Sequence, residues 1–170
     1  HSEALTSITC STVNSYNGLV PRVVGFEGGT VTWAPTNITY GHNNRSAQFR
    51  LPQNRYCIEN RAADMTMNVY LAFSMTLSAA VEGIKNKIHP GKPTDQDLYD
   101  MTDSEFKKLG IKRLPRNLLM AIEALKKDNL SEEVIGSVMK KSLLAYKNDE
   151  WERYHQAVTD WEVKEYLRLY

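Results

Sequence analysis

The sequence predicts an α+β fold, with an antiparallel sheet in the N-terminal half followed by a mostly helical C-terminal half. Three observations predict it. Period-two alternation recurs between residues 30 and 61, the spacing of strands with one apolar and one polar face. A long uncharged run, Met65 to Val81, then takes on helical character. Beyond residue 100 helix-start signals repeat: Thr102 stands three residues before Glu105, Pro115 precedes a leucine-rich stretch, and Ser131 precedes another. The chain reads as one unit over 1–170, with strands and a glycine-rich loop in 1–64 and mainly helices in 65–170.

Residues up to about Tyr16 are rich in Ser and Thr and carry strand-like triplets such as those in Ser7 to Cys10. Asn17 to Pro21 is a turn signal, and Gly25 to Gly29 follows as a glycine-rich loop around Glu27. Thr30 to Ala34 alternates β-branched and aromatic residues and reads as a strand stopped by Pro35. In the strand Ser46 to Leu51, Ala47, Phe49 and Leu51 share the apolar face, and Ser46, Gln48 and Arg50 the polar one. A strand Arg55 to Arg61 follows. Asp64 is positioned to cap a helix from Met65 to Gly83, which is apolar nearly all round and therefore expected to be packed into a core on most sides. Thr102 and Glu105 form a capping box for a short helix ending near Gly110. Pro115 suits the first turn of a helix carrying Leu118, Leu119, Ile122 and Leu125. Ser131 caps another, and the aromatic tail from Asp149 offers Trp151, Tyr154, Val158, Trp161 and Tyr166 as a docking face.

At 170 residues the chain suits one domain, and a chain of this size buries roughly 70% of its unfolded surface. A net charge of +1 argues against a dedicated binder of nucleic acid or anionic membrane. Two cysteines, Cys10 and Cys57, make no disulfide framework, and no CxxC pattern is present. A reducing, cytoplasmic setting follows. The opening residues lack a basic region followed by an apolar one, so no signal peptide is expected. The run Met65 to Val81 sits at the lower limit for a membrane span and reads as a buried helix.

The chemistry concentrates between Gly41 and Asp64, which holds Arg45, Arg50, Arg55 and Arg61 and one acid before its last residue, Glu59. In an extended strand Arg55, Cys57, Glu59 and Arg61 share a face. Guanidinium forks suit phosphates and carboxylates, and a lone carboxylate among them suits a divalent cation. The same pattern also reads as a surface strand carrying salt bridges. His42 and His89 have no metal-ligand spacing with any acid and read as structural.

The ordered set Asn14-Ser15-Tyr16, Leu19-Val20-Pro21, Gly25-Phe26-Glu27, Asn44-Arg45-Ser46, Arg50, Glu59-x-Arg61 with Asp64, and Asn68-x-Tyr70-Leu71 resembles the glutamine synthetase family, in the C-terminal part of its catalytic domain. Gly83 to Gly91 and Leu98 to Asp100 extend the resemblance, which runs from about Thr12 to Asp100. It implies an ATP-dependent ligase that joins glutamate and ammonia into a γ-glutamyl amide through γ-glutamyl phosphate, with Mg²⁺ or Mn²⁺. By the family pattern Arg45 and Arg50 would hold phosphate groups, Glu59 would be a metal ligand, and Arg61 would pair with the reacting carboxyl. Glu27 would be the flap carboxylate that takes a proton from the ammonium nucleophile. Full-length members would form rings of identical subunits in the cytoplasm.

Departures from the pattern are equally specific. Gly18 stands where an arginine that holds glutamate is usual. Cys57 replaces an ATP-contacting arginine, with Arg55 two residues earlier on the same face. The loop from Pro21 to Glu27 is long, and Val69 replaces a proline. They point to a divergent branch, with methylamine or another amine as the alternative nucleophile to ammonia, or to a non-catalytic remnant serving as a binding or structural module. Family members are longer and carry most acidic metal ligands in a segment this chain lacks. The isolated polypeptide is therefore expected to be inert, and to self-associate through open strand edges or its aromatic tail.

Overall fold

The structure, a computed structural model, describes residues 1–20, 23–24, 30–31, 33–99 and 101–169. The chain opens with a helix, α1 (Ser2–Thr9), where Ser/Thr content reads as strand. Ala4, Leu5 and Ile8 lie on one buried face, and the hydroxyls of Thr6 and Thr9 donate to the carbonyls of Ser2 and Leu5 one turn back. Burial of that apolar stripe against neighbouring helices overrides the low helix propensity of its hydroxyl residues. A 3-10 turn, Val13–Leu19, follows.

Two short strands, β1 (Val23–Val24) and β2 (Thr30–Val31), pair antiparallel. The strand expected over Thr30 to Ala34 is thus confined to its first two residues among those described. Glu27, with Gly25, Gly28, Gly29 and Arg22, lies outside the described residues.

The main sheet has the order β5-β4-β3-β6, formed by β3 (Asn37–Gly41), β4 (Ala47–Arg50), β5 (Glu59–Asn60) and β6 (Lys112–Arg113). It is mixed rather than wholly antiparallel. β3 runs parallel to β4, while β5 and β6 pair antiparallel with β4 and β3. A short link between strands normally makes a hairpin, but here residues 42–46 double back. Asn44 pins that return. Its Oδ1 accepts from Ser46 N–H at 2.8 Å, and its Nδ2 donates to the carbonyls of Thr94 and Gln96 at 2.8 and 2.9 Å. Gly41 makes the strap at 94–96 possible, because a Cβ there would collide with the Thr94 carbonyl. His42 joins the strap through Asp95, Nδ1 to Oδ2 at 3.1 Å, and His89 accepts from Gly91 N–H; both are structural contacts.

The strand expected over Arg55 to Arg61 contracts to Glu59 and Asn60. Upstream, Cys57 N–H donates to the Arg55 carbonyl, which closes a tight turn instead of a ladder. Asp64 does not cap the next helix, since its Oδ1 is taken by the N–H and hydroxyl of Thr66 at 2.8 Å each. The cap is Asn68, which accepts from Tyr70 and Leu71 N–H and starts α2 (Val69–Lys85). Nor is α2 packed on most sides: Ala72 and Met75 are buried, and a whole apolar face is exposed.

The capping box Thr102/Glu105 starts α3 (Asp103–Leu109), and Gly110 ends it in the left-handed conformation, φ 67°. Asn117 caps α4 (Leu118–Lys127), just after the expected Pro115 start. Asp128, not Ser131, caps α5 (Asn129–Ile135); Ser131 N–H is the donor to Asp128 Oδ1 at 2.7 Å. Gly136, at φ 78°, separates α5 from α6 (Ser137–Gln156). A Thr159/Glu162 box starts α7 (Asp160–Tyr166).

The core lies between α1, α2, α4 and α6. One cluster gathers Cys10, Tyr16, Leu114, Leu118 and Ile122; the other gathers Leu5, Ile8, Ala72, Met75 and Leu125. α4 contributes to both. The Cys10 thiol donates to the Ala62 carbonyl, and burial pushes its pKa up to about 12, so it behaves as an inert core group. α6 is tied down by two buried ammonium groups. Lys140 donates to the Asp128 carbonyl at 2.6 Å and Lys147 to the Ser11 carbonyl at 3.0 Å. Burial lowers the Lys147 pKa.

His1 bridges α2 and the α4–α5 junction, with Nε2 2.5 Å from Glu82 and Nδ1 2.5 Å from Asp128. Burial, the largest single influence, pushes its pKa down, but the bonds and charges of Asp128 and Glu82 together raise it above 6.5. A raised folded pKa stabilises fully below the unfolded value and loses that contribution as pH climbs through the folded one. The chain is therefore expected to lose stability above pH 6.5 relative to His1→Gln, by within about 1 kcal/mol for so exposed a pair. Urea titrations of both proteins at pH 5.5 and 8.5 measure this, and parallel pH dependences would refute it.

Candidate active site

Cross-strand pairing places Arg50 of β4 opposite Glu59 of β5. Arg50 Nε lies 2.6 Å from Glu59 Oε2, at an angle that leaves an ion pair without a well-directed hydrogen bond. Arg55, from the turn before β5, reaches the other oxygen, Nη2 to Oε1 at 3.4 Å. Glu59 is thus held between two guanidiniums, and its partner is Arg50 rather than Arg61.

Arg61 does different work. Its Nη1 donates to the Arg45 carbonyl and its Nη2 to the Trp33 carbonyl at 3.4 Å. It thereby ties the loop before β4 to the segment before β3. Burial lowers its pKa, partly offset by Glu59, yet an arginine remains charged at neutral pH. Arg45 in turn lies over the Trp33 ring, 5.7 Å to the centroid, a cation–π contact. Trp33 meets Tyr99 at 6.0 Å between ring centroids, and Tyr99 Oη donates to the Ala34 carbonyl at 2.6 Å. Four arginines expected from sequence are therefore gathered around β4 and β5, in two linked sets: Arg50, Arg55 and Glu59; and Arg45 and Arg61 with Trp33.

Sequence reasoning missed Trp33 and Tyr99 as members of this cluster. Trp33 reads as one more strand residue, and Tyr99 stands 54 residues from Arg45 along the chain. Gln48 was also missed. It sits two residues from Arg50 on β4, is fully buried, and has no partner for its amide oxygen or nitrogen among the described residues. Buried amides left unpaired are rare in folded proteins. Cys57 is exposed at the turn, with its N–H on the Arg55 carbonyl.

The donor set fits an anion well and a metal poorly. Guanidiniums around an accessible carboxylate provide forked donors for phosphate or carboxylate oxygens. A divalent cation of the Mg²⁺ type needs several oxygen ligands in near-octahedral array. Among the described residues no group of three or more His, Cys, Asp or Glu side chains is placed to hold one. Glu59 alone, already paired with two arginines, does not make that site.

Fold and cluster together define a class: an α+β chain whose sheet carries an arginine-rich wall suited to phosphate and carboxylate groups. The chain belongs to the glutamine synthetase family, since the family model for the glutamine synthetase catalytic domain matches residues 1–166. That match reaches well beyond Asp100, into helices that carry no motif recognisable by eye. A glutamate–methylamine ligase of Methyloversatilis universalis is 40% identical over 170 residues, covering 100% of this chain and 37% of the relative. A glutamine synthetase of Methanocaldococcus jannaschii is also 40% identical over 170 residues, covering 98% of this chain and 36% of the relative. Among solved structures, a GmaS/ADP complex superposes with a TM-score of 0.79 at 32% identity, over 98% of this chain and 36% of that one. Apo GmaS without ligand gives 0.75 at 32% identity. The chain thus spans little more than a third of the relatives it matches. Among the described residues no helix is long and apolar enough to cross a membrane.

Proposed function

We propose that this chain supplies the arginine wall of an ATP-dependent ligase that forms a γ-glutamyl amide from glutamate and a small amine. The observation that carries the reading is the gathering of Arg45, Arg50, Arg55 and Arg61 around Glu59 in a chain matched by the catalytic-domain model over 1–166. In this reading the γ-phosphoryl group of ATP passes to the γ-carboxylate of glutamate, releasing ADP. The amine then attacks the acyl carbon, and phosphate leaves. Both steps move negative charge across oxygen atoms, and preorganised cations are the groups that stabilise such charge. Arg45 and Arg50 would hold phosphate oxygens, Arg55 would stand in for the arginine absent at Cys57, and Arg61 would pair with the reacting carboxyl. Glu27 is the proton acceptor for the amine. Glu59 would contribute one oxygen toward Mg²⁺ or Mn²⁺, whose remaining ligands would come from outside this chain.

Ammonia is one nucleophile and methylamine the other. The methylamine reading draws support from the methylamine-ligase relative and the GmaS structures, together with Gly18 and Cys57 at positions where arginine is usual. The working enzyme is a cytoplasmic homo-oligomer, with no nucleic-acid or membrane partner. Amide synthesis assayed on the full-length protein that carries this sequence, with ammonia and methylamine side by side, tests the reading. ATP-dependent product from either amine supports it and names the nucleophile, and none from both would leave a non-catalytic remnant. The 170-residue chain alone is expected to give no product above background, because the cation site is incomplete; measurable synthesis by it would refute that part.

A further inference from the structure

Polar atoms without partners gather at one place in the fold. Among the described residues, six buried side-chain oxygen or nitrogen atoms lack a hydrogen-bond partner, and four of them are Gln48 Nε2, Gln48 Oε1, Arg50 Nε and Glu59 Oε2. These four belong to one face of the sheet. Arg50 stands opposite Glu59, and Arg61 N–H donates to the Gln48 carbonyl at 2.8 Å, which carries the same register one pair further. Residues opposite each other in an antiparallel pair share a face, as do residues two apart on a strand. Gln48 is therefore the next same-face neighbour of Arg50 along β4. It is also the diagonal neighbour of Glu59 across to β5, a spacing of about 7–8 Å that long side chains bridge.

The four atoms complement one another. An amide carries both a donor and an acceptor, while Arg50 Nε–H is a donor without a well-directed acceptor and Glu59 Oε2 an acceptor without a well-directed donor. The neighbouring guanidiniums are committed elsewhere, Arg61 to the carbonyls of Arg45 and Trp33, and Arg55 to Glu59 Oε1. Gln48 is fully buried, and a buried amide bonded to nothing costs stability. We infer that Gln48 is a positioning residue for Arg50. When Arg50 turns its outer guanidinium nitrogens to a phosphate oxygen, the Gln48 amide enters between Arg50 and Glu59, its Oε1 accepting from Arg50 Nε and its Nε2 donating to Glu59 Oε2. As the chain stands, Glu59 holds Arg50 at 2.6 Å, and an anion has to compete with that carboxylate. A neutral amide in between gives each of the four atoms a partner and leaves the Arg50 charge to the anion. The ties made by Arg55 and Arg61 stay in place. The inference rests on the proposed role of Arg50 as a holder of ATP phosphate.

Equilibrium titration with ATP and urea unfolding, both on the full-length protein that carries this sequence, test it through Gln48→Met. That substitution keeps the length of the side chain and removes both hydrogen-bonding groups. ATP affinity is expected to fall about tenfold, the lower end for losing a hydrogen bond to a charged group. The urea midpoint is expected to stay level or rise, because an unpaired buried amide has been removed. In an Arg50→Lys background, which has no Nε donor, Gln48→Met is expected to weaken ATP binding by less than about twofold further. Unchanged affinity in Gln48→Met would overturn the inference alone, and so would equal losses in the two backgrounds. A lower urea midpoint would overturn it too, since the amide would then be paired before any anion binds. Wild-type protein that binds no ATP would overturn the reading of the site together with the inference.

Discussion

Replacing Arg61 by alanine in a full-length enzyme carrying this sequence is expected to lower kcat/KM by about 10²–10³-fold, the range seen when one preorganised donor to a developing oxyanion is removed. Two contributions add. The guanidinium is lost as the cation proposed to pair with the reacting carboxyl, and the carbonyls of Arg45 and Trp33 lose their shared donor. The second loss loosens Arg45, because the loop that carries it is anchored through its own carbonyl while its side chain rests on Trp33. The 170-residue chain separates the two contributions. Its stability is expected to fall by about 1.5–3 kcal/mol, the usual worth of hydrogen bonds to a charged group. Arg61→Lys keeps the charge but replaces a planar fork with a point donor. It should therefore restore much of the stability and little of the activity. Equal restoration of both would mean that Arg61 acts only as a structural tie. Urea denaturation of the chain and steady-state kinetics of the enzyme provide the two readouts.

The arginine cluster is legible in the sequence because its members lie within seventeen residues, and Arg45, Arg50 and Arg61 keep the order of a family motif. Strand alternation puts Arg50 on the polar face of one strand and Glu59 beside Arg55 and Arg61 on another, but it does not give the register between them, which sets Arg50 opposite Glu59. What alternation does not encode is the reach of an arginine side chain. Arg55 joins Glu59 from a turn rather than a ladder, and Arg61 turns toward main-chain carbonyls instead of the neighbouring acid. Trp33 and Tyr99 were invisible for a different reason. Their meeting depends on the strap at 94–96, held down by Asn44 and by His42 with Asp95, contacts between residues some fifty positions apart. Capping chemistry was read accurately where it is local and unrivalled, as at Thr102, Glu105 and Gly110. It fails where two candidates stand close together: Asp64 gives way to Asn68 because its carboxylate is taken by Thr66, and Ser131 to Asp128 because Ser131 already lies inside the first turn and donates to that cap. At α1, long-range burial decided against local preference. At α2 the sequence correctly marks an apolar helix, but the expected packing on most sides fails, because periodicity reports which residues are apolar and not which faces find a neighbour: only Ala72 and Met75 are buried.

Leu125→Ala is expected to destabilise the chain by about 2–5 kcal/mol, the range for emptying a fully buried leucine site. Leu125 is completely buried and sits where α1, α2 and α5 meet α4, among Leu5, Ile8, Met75 and Leu130. Helices gripping it from several sides cannot all move inward at once, so the cavity closes only in part and the cost falls toward the upper end. The same substitution at Leu77 removes the same atoms from a side chain already 62% exposed. It is expected to change stability by no more than about 0.5 kcal/mol in the isolated chain. The pair therefore measures burial at constant chemistry. The consequence also reaches the arginine wall, because α4 follows directly on β6, and Leu114 N–H donates to the Thr36 carbonyl at the start of β3. A chain that loosens around Leu125 loses the support that fixes β3 beside β4. Thermal and urea unfolding of the two variants should differ by several kcal/mol. A Leu125→Ala protein as stable as Leu77→Ala would mean that α4 is not the post on which the sheet and its arginines are mounted.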